Sequence, residues 1–146
     1  MEKQDSKKTV IVTGGSKGMG KGAVLMFAKK GYNVVYSARN DDPEVLKEIQ
    51  KLGGDGTFIK TDVSKEQDVI DLIDQTVKKY GKLDIMINNA GIVGTTNALL
   101  ADTTTQNFTD IFNTNVMGVY WGMKYAIQAM LKTGGGSIVN VSSAAG

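Results

Sequence analysis

The spacing of apolar and polar residues changes period repeatedly along this chain. Val10-Ile11-Val12 is a short, β-branched run that stops at a cluster of glycines and reads as a strand. Beyond the glycines, Met19, Ala23, Met26 and Phe27 fall at i, i+4, i+7 and i+8, one face of a helix. Gly31 is placed to end that helix. A second strand is expected from Asn33 to Ser37 around Val34, Val35 and Tyr36. Asp42 can cap the next helix, with Pro43 at its first position and Leu46, Ile49 and Leu52 on its buried face. Gly53-Gly54 closes it, and Thr57-Phe58-Ile59 forms a third short strand.

The same alternation continues. Ser64 and Gln67 have capping-box spacing, and Val69, Ile70, Ile73 and Val77 follow at helical spacing up to Gly81. Leu83 to Ile87 predicts a fourth strand, running into Asn88-Asn89-Ala90-Gly91 and a loop rich in Thr and Asn. Phe108, Ile111, Phe112, Val116, Val119, Met123, Ile127 and Met130 trace one long helical face, continuous or broken, ended by Gly134-Gly135-Gly136. Ser137 to Val141 predicts a fifth strand. Strand and helix alternating in this way argue for an α/β fold: a Rossmann-like, doubly wound parallel sheet in the order 3-2-1-4-5. Its topological switch point lies at the first glycine turn, where such sheets bind ligands.

Composition narrows the chemistry. At 146 residues there is room for one domain with its own core. The net charge of +2 gives no reason to expect nucleic acid or a membrane as partner. There is no Cys and no His, which excludes disulfides, thiol chemistry, His-based triads and most zinc sites. No apolar run approaches the roughly 20 residues of a membrane span. Met1 to Lys8 is polar, without a signal-peptide core, so a cytoplasmic location is the expectation.

The glycine stretch admits two readings. A strand, a glycine-rich turn and a helix together present backbone N–H groups and a helix N-terminus, and both attract phosphate. Gly15-Ser16-Lys17-Gly18-Met19-Gly20-Lys21 begins as a P-loop does, but Gly22 stands where the Mg²⁺-binding Ser or Thr belongs. The other reading spaces the glycines as Thr13-Gly14-x-x-x-Gly18-x-Gly20. That turn differs from the commoner G-x-G-x-x-G dinucleotide fingerprint. Taken alone, it is equally a tight connection without a ligand.

Further motifs stand at the ends of the other elements. Asp62-Val63 follows the third strand, Asn88-Asn89-Ala90-Gly91 the fourth, and Ser142-Ser143 the fifth, while Asn115-Val116-Met117-Gly118 lies within the long helical stretch. In this order they closely resemble the N-terminal part of a classical short-chain dehydrogenase/reductase, and the resemblance covers nearly all of the chain. It implies hydride transfer between NAD(H) or NADP(H) and a small carbonyl or alcohol substrate. It also implies a cofactor site at Thr13, Gly14, Ser16, Lys17, Gly18, Met19, Gly20, Arg39, Asp62, Val63, Asn89, Ala90 and Gly91. By the same carry-over, Ser143 hydrogen-bonds the substrate oxygen and Asn115 holds a water of the proton relay. NAD-binding members end the second strand with an acidic residue for the ribose 2′-OH. Ala38 stands there in this chain, followed by Arg39, with Lys17 facing the same ribose from the glycine turn, so NADP(H) is expected over NAD(H).

The chain also departs from the family. The general acid expected from the resemblance is the Tyr of a Tyr-x-x-x-Lys pair on the helix after the serine strand, and Gly146 comes three residues after Ser143. The expectation is therefore an NADP(H)-binding Rossmann domain over 1–146, truncated after the fifth strand and inactive alone. Its unpaired fifth strand and uncovered long helix predict a homo-oligomer. Tyr120 and Lys124 reproduce the spacing in the helix before the serine strand, where they are i, i+4 neighbours with a structural role. The alternatives are a non-enzymatic dinucleotide-binding module or subunit completed by another chain, and a nucleoside-triphosphate-binding protein.

Overall fold

β1 (Thr9–Thr13) is buried at all five positions, and its neighbours explain why. In the computed structural model, which describes residues 7–144, β1 pairs in parallel with β2 (Asn33–Ala38) on one side and β4 (Ile85–Asn88) on the other. β3 (Asp55–Lys60) lies beyond β2 and β5 (Ser137–Asn140) beyond β4, giving the order β3-β2-β1-β4-β5. This is the order expected from the alternation of periods. Met1–Ser6 of the polar N-terminal stretch, with Ala145 and Gly146, lie outside the described residues.

Side chains alternate along a strand, so each strand feeds two cores. Val10, Val12, Val34, Tyr36 and Ile87 pack on one face with Val24 and Ala28 of α1 (Gly18–Lys29) and Val45 and Ile49 of α2 (Pro43–Lys51). Ile11, Val35 and Met86 pack on the other. There they meet Val69, Leu72 and Ile73 of α3 (Glu66–Tyr80) and Ala126 and Met130 of α5 (Gly118–Leu131). Burying each such Val, Ile or Leu contributes about 1.5–3 kcal/mol.

The helix faces differ from the expected ones. In α1 the buried stripe is Gly20, Val24 and Ala28, while Met19 and Met26 are exposed. In α2 it is Val45 and Ile49; Leu46 is half-buried and Leu52 exposed. In α3, Val69 and Ile73 are buried and Val77 packs half-buried against the same core, as expected; Leu72 and Thr76 are buried with them, and Ile70 is half-buried. The long helical stretch is broken into α4 (Thr105–Phe112), a π-helical turn Asn113–Met117, and α5. Gly118, Gly122, Ala126 and Met130 form the buried stripe of α5. Phe108, Phe112, Val116 and Ile127 of the expected face are exposed.

Small residues dominate the stripes of α1 and α5, where the helix comes close to its neighbours. A Cβ on Gly122 would collide with the Asn88 amide, and one on Gly118 would stand 2.9 Å from the Val63 carbonyl oxygen.

Local signals held unevenly. Asp42 caps α2, its carboxylate accepting from the Glu44 N–H at 3.1 Å with Pro43 at the first position. Gly81 ends α3 in the left-handed region at φ 81°. The Ser64/Gln67 capping box does not form. The Ser64 hydroxyl donates to Asp62 Oδ1 at 2.6 Å, and Gln67 donates to Asp71 at 2.9 Å. β3 runs longer than Thr57–Ile59, and the missing Cβ at Gly56 leaves room for the Ile49 side chain against the strand.

Candidate functional site

At the carboxyl ends of the strands, a cleft of about 590 Å³ opens at the switch point between β1 and β4. Four segments contribute its wall. Gly14, Ser16 and Lys17 come from the turn after β1, and Ser37 to Asp42 from the end of β2. Thr61 to Ser64 follow β3, and Ala90 to Ile92 follow β4. Asp110, Asn113 and Thr114, from the end of α4 and the π turn, close the remaining side.

The glycine turn is held tight by contacts only glycine permits. Gly14 has φ +64°, and a Cβ there would stand 3.0 Å from both the Ala90 Cα and the Asn89 amide nitrogen. A Cβ on Gly20 would collide with the Gly14 carbonyl oxygen, so α1 abuts the turn with no side chain between. Asn89 locks the arrangement by donating from Nδ2 to the carbonyls of Thr13 and Gly14, at 3.0 and 3.2 Å. Thr13 Oγ1 accepts from the backbone N–H groups of Asn89 and Ala90, at 3.0 and 3.1 Å. Two of the residues expected on the cofactor thus brace the loops behind the cleft.

The expected residues divide accordingly. Gly14, Ser16, Lys17, Arg39, Asp62, Val63, Ala90 and Gly91 line the cleft. Thr13, Gly18, Met19, Gly20 and Asn89 do not line it. Met19 points to solvent, three-quarters exposed. Asn115 sits in the π turn, and its amide grips the loop after β4: Oδ1 accepts from the Ile92 N–H and Nδ2 donates to the Ile92 carbonyl, both at 2.8 Å. One N–H and one lone pair of that amide remain. A π turn interrupting a helix is a frequent mark of functional positions. Ser143 is exposed beyond β5 and does not line the cleft. Neither do Tyr120 and Lys124; Lys124 Nζ lies 3.9 Å from Glu66 and 5.0 Å from the centre of the Tyr125 ring.

Charges of both signs meet at the rim. Lys17 and Arg39 face Asp41, Asp42, Asp62 and Asp110 around one cleft. Burial pushes the Asp62 carboxyl up. The Ser64 hydroxyl and N–H bonds, with Lys65 and Arg39 nearby, outweigh that and hold it below the usual carboxylate range. Asp62 is thus a fixed anion beside Arg39. Its own N–H is held by Asp68 Oδ2 at 2.8 Å, which ties the cleft wall to α3. Tyr36 reaches from the core to Asp41 Oδ1 at 3.4 Å, anchoring the loop that carries Arg39.

Ser37, Thr61, Asn113 and Thr114 also line the cleft, although the sequence reading did not select them. A signal existed for Ser37, which directly precedes the Ala38-Arg39 pair. Nothing in the sequence pointed to Asn113 and Thr114, because the π turn that presents them was not legible. Among the described residues there is no cluster of three or more Asp and Glu residues that could hold a metal ion. None of the described helices is long and apolar enough to cross a membrane.

A glycine-turn cleft at the switch point of a 3-2-1-4-5 sheet defines the class, and comparison with known proteins agrees. The family model described as short chain dehydrogenase matches residues 8–146. An uncharacterized oxidoreductase of Thermotoga maritima is 40% identical over 95% of this chain and 55% of its own length. The mitochondrial borneol dehydrogenase of Lavandula x intermedia is 37% identical over 94% of the chain and 52% of its own length. The crystal structure of a short-chain type dehydrogenase/reductase from Mycobacterium marinum superposes with a TM-score of 0.89 at 35% identity, covering 94% of this chain and 56% of that one.

The chain belongs to the short-chain dehydrogenase family, oxidoreductases that use nicotinamide dinucleotides and act on small molecules. It spans about half the length of the relatives it matches.

Proposed function

We infer that this chain forms the NADP(H)-binding part of a carbonyl reductase or alcohol dehydrogenase. The observation that carries the cofactor preference is the cationic pair at the end of β2 and in the glycine turn. Arg39 and Lys17 line the same cleft, and Ala38 stands where an acidic residue would repel a phosphate. The guanidinium offers a fork of donors suited to the ribose 2′-phosphate, and Lys17 adds a second positive charge. The residues fit a dinucleotide: Gly14 and Gly20 hold a turn whose backbone approaches the ligand without side chains intervening, and Ala90 and Gly91 continue the wall.

When bound, the nicotinamide supplies or accepts the hydride. The chain's own residues bind and orient. Ser16, Lys17 and the backbone of the glycine turn hold the phosphates. Val63 and Asp62 border the adenine end. Ser143 hydrogen-bonds the substrate oxygen, and Asn115 uses its remaining amide valences to hold a water of the proton path while fixing the loop at Ile92. A proton donor must reach the same oxygen. The resemblance places it C-terminal to β5, so turnover is assigned to the whole protein and the 146 residues alone bind without reducing a carbonyl. The exposed apolar side chains of α4 and α5, among them Phe108, Phe112 and Leu131, support assembly as a homo-oligomer.

The test is cofactor affinity by calorimetry. Charge-assisted hydrogen bonds are worth enough that Arg39→Ala should weaken NADPH binding by about tenfold or more. NADH binding should hold within about twofold, because the substituted group meets only the additional phosphate. Equal affinity of the unaltered chain for the two cofactors overturns the preference.

A further inference from the structure

Three hydroxyl side chains lie near the carboxyl ends of the first three strands: Thr13 on β1, Ser37 on β2 and Thr61 just past β3. All three are buried. Thr13 Oγ1 accepts two backbone N–H groups and lies 3.4 Å from the Ile87 carbonyl oxygen, to which it donates. Thr61 donates to the Ile59 carbonyl at 3.1 Å. Ser37, in register with Thr13 and lining the same cleft, is different. Its Oγ has no hydrogen-bond partner and is the one buried side-chain N or O atom among the described residues in that condition.

A buried hydroxyl left unpaired destabilises a fold, and native structures retain such groups for an identifiable reason. An alanine would fit the strand at this place without that cost. The neighbours of Ser37 point to the reason. It is two residues before Arg39, it pairs across the sheet with Thr13, and it shares the cleft wall with Gly14, Asp62 and Val63. That is the β2–β3 side of the cleft, the side assigned above to the adenine and its ribose. A neutral hydroxyl, both donor and acceptor, matches the ring nitrogens and ribose hydroxyls of a nucleoside.

We propose that Ser37 is a cofactor-contacting residue whose hydroxyl hydrogen-bonds the adenosine half of the dinucleotide. This rests on the cofactor reading of the cleft. It assigns Ser37 to the part common to NADPH, NADH and ADP, whereas Arg39 serves only the 2′-phosphate. Ser37 thus supports affinity without discriminating between the two cofactors. The same hydroxyl costs stability while the cleft holds no nucleotide.

The two effects have opposite signs, which makes the experiment decisive. NADPH, NADH and ADP are titrated calorimetrically into the chain and into Ser37→Ala, and both ligand-free proteins are melted. Loss of one neutral hydrogen bond should weaken all three ligands by a common factor of about 3–10. The ligand-free melting temperature should rise by about 2 °C or more, because an unpaired buried hydroxyl has been removed. Unchanged ADP affinity in Ser37→Ala overturns the proposal. So does a lower melting temperature in the ligand-free variant, whatever the affinities, since it makes the hydroxyl a structural one. If the unaltered chain binds neither NADPH nor ADP, the cofactor reading fails and this inference fails with it. If it binds ADP but shows no preference for NADPH, only the role of Arg39 fails.

Discussion

β1 and β5 lie in one sheet of parallel strands, yet β1 is buried along its whole length while β5 has no fully buried residue. β1 has a paired strand on each side and helices on both faces. β5 pairs with β4 on one side, and Val139 and Val141 are about half exposed. The helices do not repeat the contrast: α5 buries one stripe and leaves Tyr120, Ile127 and Leu131 outside, and α1 likewise buries one stripe and leaves Met19 and Met26 exposed. The region around β1, β2 and β3 carries the residues assigned to the adenosine half and the phosphates. Ser143 stands on the less covered side. On the proposed function, cofactor binding would draw on the well-packed part of the fold and substrate chemistry on the less covered part.

The largest expected effect breaks the contrast directly, with one residue type at two places. Ile11 is fully buried in β1, and Ile127 is 46% exposed on α5. Ile11→Ala should destabilise the chain by about 2–5 kcal/mol, the lost transfer energy plus a cavity. Ile127→Ala should cost less than about 1 kcal/mol, because a surface site leaves no cavity. Denaturant melts of the two variants check this, and equal losses would refute the packing difference.

The next effect belongs to the covered side alone. Burial, together with Asp41, pushes the Tyr36 phenol up to about 12. The unfolded phenol titrates near 10, so the folded state holds its proton more tightly. This stabilisation is fully present below about pH 10 and is lost as pH rises toward 12, amounting to roughly 2–3 kcal/mol. Tyr36→Phe should flatten the fall in stability between about pH 10 and 12. A slope identical to that of the unaltered chain would sink the assignment.

The smallest effect on stability sharpens the other side. Leu131 is 72% exposed at the end of α5. Leu131→Glu should change folding stability by less than about 0.5 kcal/mol, as surface substitutions do. It should nevertheless shift the chain toward monomer in light scattering, since a charge on an apolar contact face opposes association. A monodisperse monomer before the substitution would show that this face has no copy of the chain against it.

Much of this was legible from residue order, and the physical reasons are local. Val10-Ile11-Val12 can only be a buried strand next to Gly14, and the left-handed turns at Gly31 and Gly81 need residues without a Cβ. Asp42 caps a helix by itself, through an N–H two residues away. The alternation of five strands with helices was enough to reach the order β3-β2-β1-β4-β5. Arg39, Asp62 and the Ala90-Gly91 pair reach the cleft because each follows a strand end, and strand ends are where a parallel sheet brings distant segments together.

Tertiary packing decided the rest. Period counting gave the buried faces of α1 and α5 to large residues, Met26 and Ile127 among them. The close approach of helix to sheet instead selected Gly20 and Ala28, Gly122 and Ala126, whose lack of bulk a hydropathy pattern does not register. The Ser64 hydroxyl went to Asp62 because the cleft wall turns there, at the expense of a capping box that spacing alone allowed. The π turn at Asn113–Met117 depends on Asn115 finding the Ile92 backbone 23 residues earlier in the chain. Ser37 shows the limit most clearly. Its identity is plain in the sequence, but only the surrounding strands and loops determine that its hydroxyl is buried, at the cleft, and without a partner.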